Sequence, residues 1–177
     1  QEGVAFGTST GNGNRVCSNL IEGNLFRGLR LVTVSDNLVF SNHLRSNNIE
    51  GISLILGSAS NTVEGNFLEG ANQEGIGLAS GAYGNILRSN IVNGQQYAGF
   101  IANQATNNLI TMNWITGCPV GISNVGGAGQ VYELNLLTNN ATNFTSTVAL
   151  AAASNWFGTR TWANMRVEVG VANAPWL

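Results

Sequence analysis

Apolar and polar positions along this chain keep a common beat. An asparagine or glutamine opens each of six segments, at Asn14, Asn37, Asn61, Asn85, Asn108 and Gln130, so successive starts lie 22–24 residues apart. Two places after each start stands an apolar residue: Val16, Val39, Val63, Leu87, Ile110 and Tyr132. Five places after it an asparagine returns, at Asn19, Asn42, Asn66, Asn90, Asn113 and Asn135. Seven places after it comes a second apolar set: Ile21, Leu44, Leu68, Val92, Ile115 and Leu137. A glycine follows at Gly28, Gly51, Gly75, Gly99 and Gly121, with Phe144 breaking the rule in the last segment. Beyond the glycine stand Leu29, Ile52, Ile76, Phe100 and Ile122, and two residues further on Leu31, Leu54, Leu78 and Ala102. Self-similarity at a fixed period marks a repeat architecture.

The segments are short, rich in Val, Ile, Leu and Thr, and punctuated by Asn and Gly, which favours strands and turns over helices of period 3.6. Three short strands per segment, each turning alternate side chains inward, make one coil of a solenoid. The expected fold is therefore all-β, with about six to seven coils. Hairpins of an antiparallel sandwich would give a shorter and less regular beat. Asparagine suits sharp corners because it tolerates left-handed and bridge conformations. Stacked at about 4.8 Å per coil, its amides can join into a ladder. The glycines are expected to supply backbone freedom at a further corner.

This pattern resembles the right-handed parallel β-helix repeat family, the pectate-lyase-like solenoids, in which N-x-I-x-x-N-x-I recurs with a trailing G-I. The likeness covers residues 14–145 and implies the fold. It implies no single activity, because that superfamily includes pectate-lyase-like and polygalacturonase-like enzymes, alginate epimerases, phage tailspikes and adhesins; function has to come from sites. One domain over residues 1–177 is expected. Residues 1–13 would lead in or cap, 14–145 hold the six repeats, and 146–177 form a cap or an association segment. That last stretch carries Trp156, Trp162 and Trp176, and its alternation at 166–171 reads as a half-buried strand.

Composition then removes whole classes. Charged residues make up 9% of the 177, no lysine is present, and net charge is −2 with a pI near 5.3. A nucleic-acid binder held by counterion release is excluded on that balance. No apolar run reaches the roughly 18 residues of a membrane span. A low-charge surface rich in Asn, Ser and Thr points to an extracellular rod, or one on a cell or virion surface.

Equal offsets become vertical neighbours in a solenoid, so charges pair by arithmetic. Glu22, Arg45 and Glu69 share one column, Glu64 and Arg88 another, and Arg27, Glu50 and Glu74 a third, one place before the glycine. Most of these are ladders on a solvated face. Glu50 and Glu74 are the weak catalytic candidates, placed one coil apart, near the roughly 5–5.5 Å of a retaining glycosidase pair; Arg27 is a binding candidate beside them. The calcium, aspartate-cluster and Asp-Pro-His-Asp sites that the resemblance implies for its enzymes cannot be assembled, since the chain holds one aspartate, Asp36, and one histidine, His43. No metal-ligand spacing occurs, and no cofactor is expected. Cys17 and Cys118 lie four coils apart, roughly 19 Å, too far for a bridge.

Two outward offsets are apolar. One holds Leu20, His43, Phe67, Ile91, Trp114 and Leu136; the other includes Leu38, Ile86, Leu109 and Val131. An apolar stripe along a rod is more than a solvated monomer usually shows. It is read as a protein–protein face that makes the chain a homo-oligomer or filament, or as an aromatic rail for polysaccharide through Phe67 and Trp114. Cover by the chain's own terminal segment is the plain alternative. Paired sequons at Asn140 and Asn143 permit glycosylation, although coincidence in so Asn-rich a chain accounts for them. The preferred reading is a non-catalytic structural or adhesive rod; the rival is a carbohydrate-active protein.

Overall fold

The computed structural model describes residues 1–7, 11–148, 150–152, 154–158 and 171–172. Trp162, Trp176 and most of the alternation at 166–171 lie outside the described residues. The chain winds as a parallel solenoid of about six turns, three short strands to a turn. The first sheet stacks β1 (Val4–Phe6), β4 (Leu29–Val32), β7 (Ile52–Ile55), β10 (Glu74–Ala79), β13 (Ala98–Asn103), β16 (Val120–Val125) and β19 (Thr142–Ser146). The second stacks β2 (Arg15–Cys17), β5 (Leu38–Phe40), β8 (Thr62–Glu64), β11 (Ile86–Arg88), β14 (Leu109–Thr111) and β17 (Val131–Glu133). The third stacks β3 (Leu20–Glu22), β6 (His43–Arg45), β9 (Phe67–Glu69), β12 (Ile91–Asn93), β15 (Trp114–Thr116) and β18 (Leu136–Thr138). A short pair, β20 (Leu150–Ala151) with β21 (Val171–Ala172), follows.

Register obeys the repeat. Val16 sits over Val39, Ile21 over Leu44 and Leu29 over Ile52, all in parallel pairs. The inward column of Val39, Leu44, Leu54, Val63, Leu68, Ile76, Leu87 and Ile115 is 0–1% exposed. Each such side chain contributes about 1.5–3 kcal/mol on leaving water. Toward the end of the rod larger rings fill the same space: Tyr132 and Phe144 meet edge to face at 4.9 Å. The buried Tyr132 hydroxyl donates to Asn124 Oδ1 at 3.1 Å, which satisfies a group whose burial would otherwise be costly.

Three corner ladders fix the coils to one another. At the second corner Asn42 Nδ2 donates to Asn66 Oδ1 (3.0 Å), Asn66 to Asn90 (3.0 Å) and Asn90 to Asn113 (3.0 Å), and the file runs from Asn19 to Asn155. Each oxygen also accepts the backbone N–H of the preceding asparagine, as Asn90 Oδ1 does from Asn66 at 3.0 Å. The first corner repeats this from Asn14 through Asn108 to Gln130.

Two expectations about corners are corrected. The ladder asparagines themselves are not left-handed. The residue before each one takes the positive φ, as Ser18, Ser41, Gly65, Ser89, Met112, Leu134 and Ser154 do at the second corner. The asparagine is selected for its amide, and the turn is made one place earlier. The glycine column is likewise not about freedom of φ, since none of Gly28, Gly51, Gly75 or Gly99 is left-handed. A Cβ on Gly28 would lie 2.7 Å from the Gly51 carbonyl oxygen, and one on Gly75 would lie 2.7 Å from that of Gly99. Close stacking of backbones excludes any side chain there. In the last coil Asn143 takes the glycine place and Phe144 pairs with Ile122, so Phe144 is an ordinary core residue rather than a broken rule.

Candidate functional site

Two surface regions carry most of the predicted site residues, one beside the first sheet and one on the third. The first is a carboxyl cluster beside the first sheet. The Arg27 guanidinium donates through Nε to Glu50, and its Nη1 lies 3.5 Å from Glu2 Oε1. The Arg27 amide donates to Glu2 Oε2 at 3.0 Å. Ser53, fully buried, donates from Oγ to Glu50 Oε1 at 3.2 Å. Gly77 leaves the room that this carboxylate uses: a Cβ there would stand 2.8 Å from Glu50 Oε1. Glu74 begins β10 one coil on and is 9% exposed. Burial, and then the neighbouring Glu50, push its carboxyl up to about 7, against a smaller lowering by its own backbone amide and Arg27. Glu50, Glu74 and Arg27 are thus brought together as their shared offset predicts. Arg27 is divided between Glu2 and Glu50, a partner that the column arithmetic left out. Arg30 Nη1 also reaches Glu2 Oε1, at 3.5 Å.

The second region is the outward row of the third sheet. Leu20, His43, Phe67, Ile91, Trp114 and Leu136 stand in register on consecutive strands. The row has one more member: Trp156 forms a parallel bridge with Leu136. Leu20, Ile91, Trp114 and Trp156 are exposed, while His43, Phe67 and Leu136 are half-buried. His43 and Phe67 stack at 4.9 Å, and His43 Nε2 lies 2.8 Å from Glu69 Oε1. Glu69 therefore serves His43, while Arg45 pairs with Glu22, whose hydrogen bond and charge raise the arginine's pKa. Trp114 Nε1 donates to Thr138 Oγ1 at 3.1 Å, which pins its ring. The second apolar offset lies on the second sheet, where Leu38, Ile86 and Leu109 are half-buried and Thr62 interrupts them. Glu64 and Arg88 pair on that face at 2.6 Å.

The sequons are explained by the coil itself. Asn140 Oδ1 accepts from the Cys118 amide at 3.0 Å, and Asn140 Nδ2 donates to Asn143 Oδ1 at 3.2 Å; Asn143 is 5% exposed. Both cysteines are free thiols, Cys17 exposed and Cys118 buried, and burial raises the Cys118 thiol's pKa. Among the described residues no three His, Cys, Asp or Glu side chains come together in a way that could hold a metal ion. No helix of the described residues is long and apolar enough to cross a membrane. A recess of about 310 Å³ opens beside the first coil, lined by residues of β3 together with Gly3, Val4, Asn19 and Asn24, and holds neither Glu50 nor Glu74.

Parallel coils in register, three sheets and continuous corner ladders define a parallel β-helix, a β-solenoid with three strands to a coil. The sequence matches the NosD family, described as periplasmic copper-binding protein, over residues 2–167, and the chain belongs to that family. Among solved structures it is similar to a double mutant of the periplasmic alginate epimerase AlgG, at 14% identity and a TM-score of 0.61. That alignment covers 98% of this chain and 48% of the epimerase, so the chain spans about half the length of that enzyme. The likeness is one of fold. QnrB1, a plasmid-mediated fluoroquinolone resistance protein, aligns over 90% of this chain and 93% of its own at 12% identity, but with a TM-score of 0.22 that carries no argument. No curated protein matches the sequence.

Proposed function

We propose that this chain is a non-catalytic β-helical rod with a structural or adhesive role outside the cytoplasm, and that the outward row of its third sheet is its contact face, for further copies of itself among other partners. One observation carries the reading: a row apolar at every place but His43 runs in register from Leu20 to Trp156 with four of its seven members exposed. A continuous apolar row on a solvated face is a contact surface in search of a partner. The location rests on the periplasmic description of the family and of the similar epimerase. The copper in the family's description has no matching donor set among the described residues. Cys17 sits in the first coil, Met112 and Cys118 in the fifth, and His43 is engaged by Glu69 and Phe67. Soft donors so dispersed do not make a copper centre. Sedimentation velocity over a concentration series tests the reading. Assembly that rises with concentration and is lost in Leu20→Ser/Ile91→Ser is expected; a wild-type monomer at every concentration overturns the self-association.

A second reading, a carbohydrate-active protein, is favoured by Glu74. A carboxyl half-protonated near neutrality beside a second carboxylate is the pairing that glycoside cleavage uses, one group donating a proton to the leaving oxygen. Reducing ends released from a glycan panel by the wild type, and not by Glu50→Gln/Glu74→Gln, would establish it; equal release by both would remove it.

A further inference from the structure

The outward row of the third sheet changes character halfway along. In the first three coils charged residues flank it, Glu22, Arg45 and Glu69 in register. From the fourth coil the flanking places pass to Asn93, Thr116 and Thr138, also in register. The row itself passes from the half-buried His43–Phe67 stack to the exposed Trp114 and Trp156, at 44% and 42%. The adjoining corner changes one coil later. Ser18, Ser41, Gly65 and Ser89 make the left-handed turn in the earlier coils, Met112 and Leu134 make it next to Trp114 and Leu136, and Ser154 makes it again before Trp156. Left-handed backbone is unfavourable for a branched or bulky residue, and these two side chains are also 55% and 53% exposed. Serine elsewhere at this corner shows that the turn does not require them. Beside Trp114 and Leu136 the corner is therefore apolar and exposed, against both backbone preference and solvation.

The charge of this half of the sheet names its partner. Among the described residues no charged side chain stands on the third sheet from Ile91 onward; Glu133 lies across the corner on the second sheet. Two indole rings two coils apart, at roughly 10 Å, match the advance of two residues in an extended hexose chain. Amide and hydroxyl groups on the flank suit sugar hydroxyls, and the Trp114 ring is already held by Thr138 at 3.1 Å, which lowers the entropy lost on binding. We propose that Trp114 and Trp156 form a platform for an uncharged, extended polysaccharide. This deepens the adhesive reading above and rests on it for the role of the row.

Tryptophan fluorescence and calorimetry with cellohexaose, maltohexaose and trigalacturonate test this. Saturable binding of cellohexaose is expected, with weaker maltohexaose and no trigalacturonate. Trp114→Ala and Trp156→Ala should each weaken it at least tenfold, Trp156→Phe should retain most of it, and Phe67→Ala should change it less than twofold. Circular dichroism on each variant confirms the coil. Absence of saturable binding by either neutral oligomer, or binding indifferent to both tryptophans, overturns the platform. If the tryptophan variants instead abolish self-association in sedimentation while no sugar binds, the row is a contact face for a second copy; the adhesive reading stands and this inference falls.

Discussion

The second and third corners of the coil solve one problem in two ways. At the second corner seven asparagines form an unbroken file, and each internal amide both caps a backbone N–H and reaches a main-chain carbonyl, as Asn90 Nδ2 does to Val63 O at 2.9 Å. At the third corner the file reads Asn24, Asn47, Ala71, Gln95, Cys118, Asn140. Gln95 covers the gap by presenting Oε1 to the Ala71 amide at 2.8 Å, and Asn140 does the same for Cys118 at 3.0 Å. Just outside, Asn72 donates to Asn48 and Gln96 to Asn72, both at 2.8 Å, so a surface file runs beside the broken one. The second corner joins two strands of three residues with no slack, whereas the third leads into a longer bend before the first sheet. Where the chain has room, the bonding can be shared among residue types; where it has none, only asparagine serves.

The sharpest way to break that contrast is to remove one amide from each file. Asn90→Ala should cost about 3–5 kcal/mol, because it leaves the Asn66 amide groups and the Asn113 and Val63 oxygens short of partners in a buried place. Asn47→Ala should cost about 1–2 kcal/mol, since its neighbour Asn24 is half-buried and water can substitute. Equal losses in urea titrations would show that the two corners are not different. Next comes Glu74, at the exit of the third corner. Its carboxyl is pushed from 4.5 to about 7 in the folded state, so the folded chain binds the extra proton between those values and stability falls as pH rises through that window, then levels off above it. Glu74→Gln should flatten the slope and gain about 1–2 kcal/mol at pH 8, after allowance for partial screening; an unchanged slope in melts between pH 4.5 and 8 would place the proton elsewhere. The smallest effect is expected from Ala71→Asn, which restores the missing rung and should add about 1 kcal/mol. A loss instead would mean that the third corner lacks space for the amide.

The same contrast explains what could be read beforehand. The first two ladders are legible because one residue type recurs on a fixed beat, and the inward columns because their members are all apolar. The third ladder was missed because Ala71, Gln95 and Cys118 break the letter while the backbone keeps the geometry. Asn155 was missed for a different reason, its interval of 20 residues lying outside the beat. Trp156 falls outside the beat for the same cause, and the sequence alone groups it with the terminal segment. The Glu50, Glu74 and Arg27 column was legible by offset, but the depth at which Glu74 lies was not. Burial there follows from how the bends beside the first sheet close, which no offset encodes. The reason for the glycines was also hidden, since absence of a side chain looks the same whether φ or a facing carbonyl demands it.

The bonds between ladder amides all run one way. Between side chains, each nitrogen donates to the asparagine of the coil that comes later in the sequence, and each oxygen receives from the one before, while the internal nitrogens also reach back to a main-chain carbonyl of the earlier coil. During synthesis, then, a finished turn still holds out hydrogens that only its successor can take, and the newest turn is always the incomplete one.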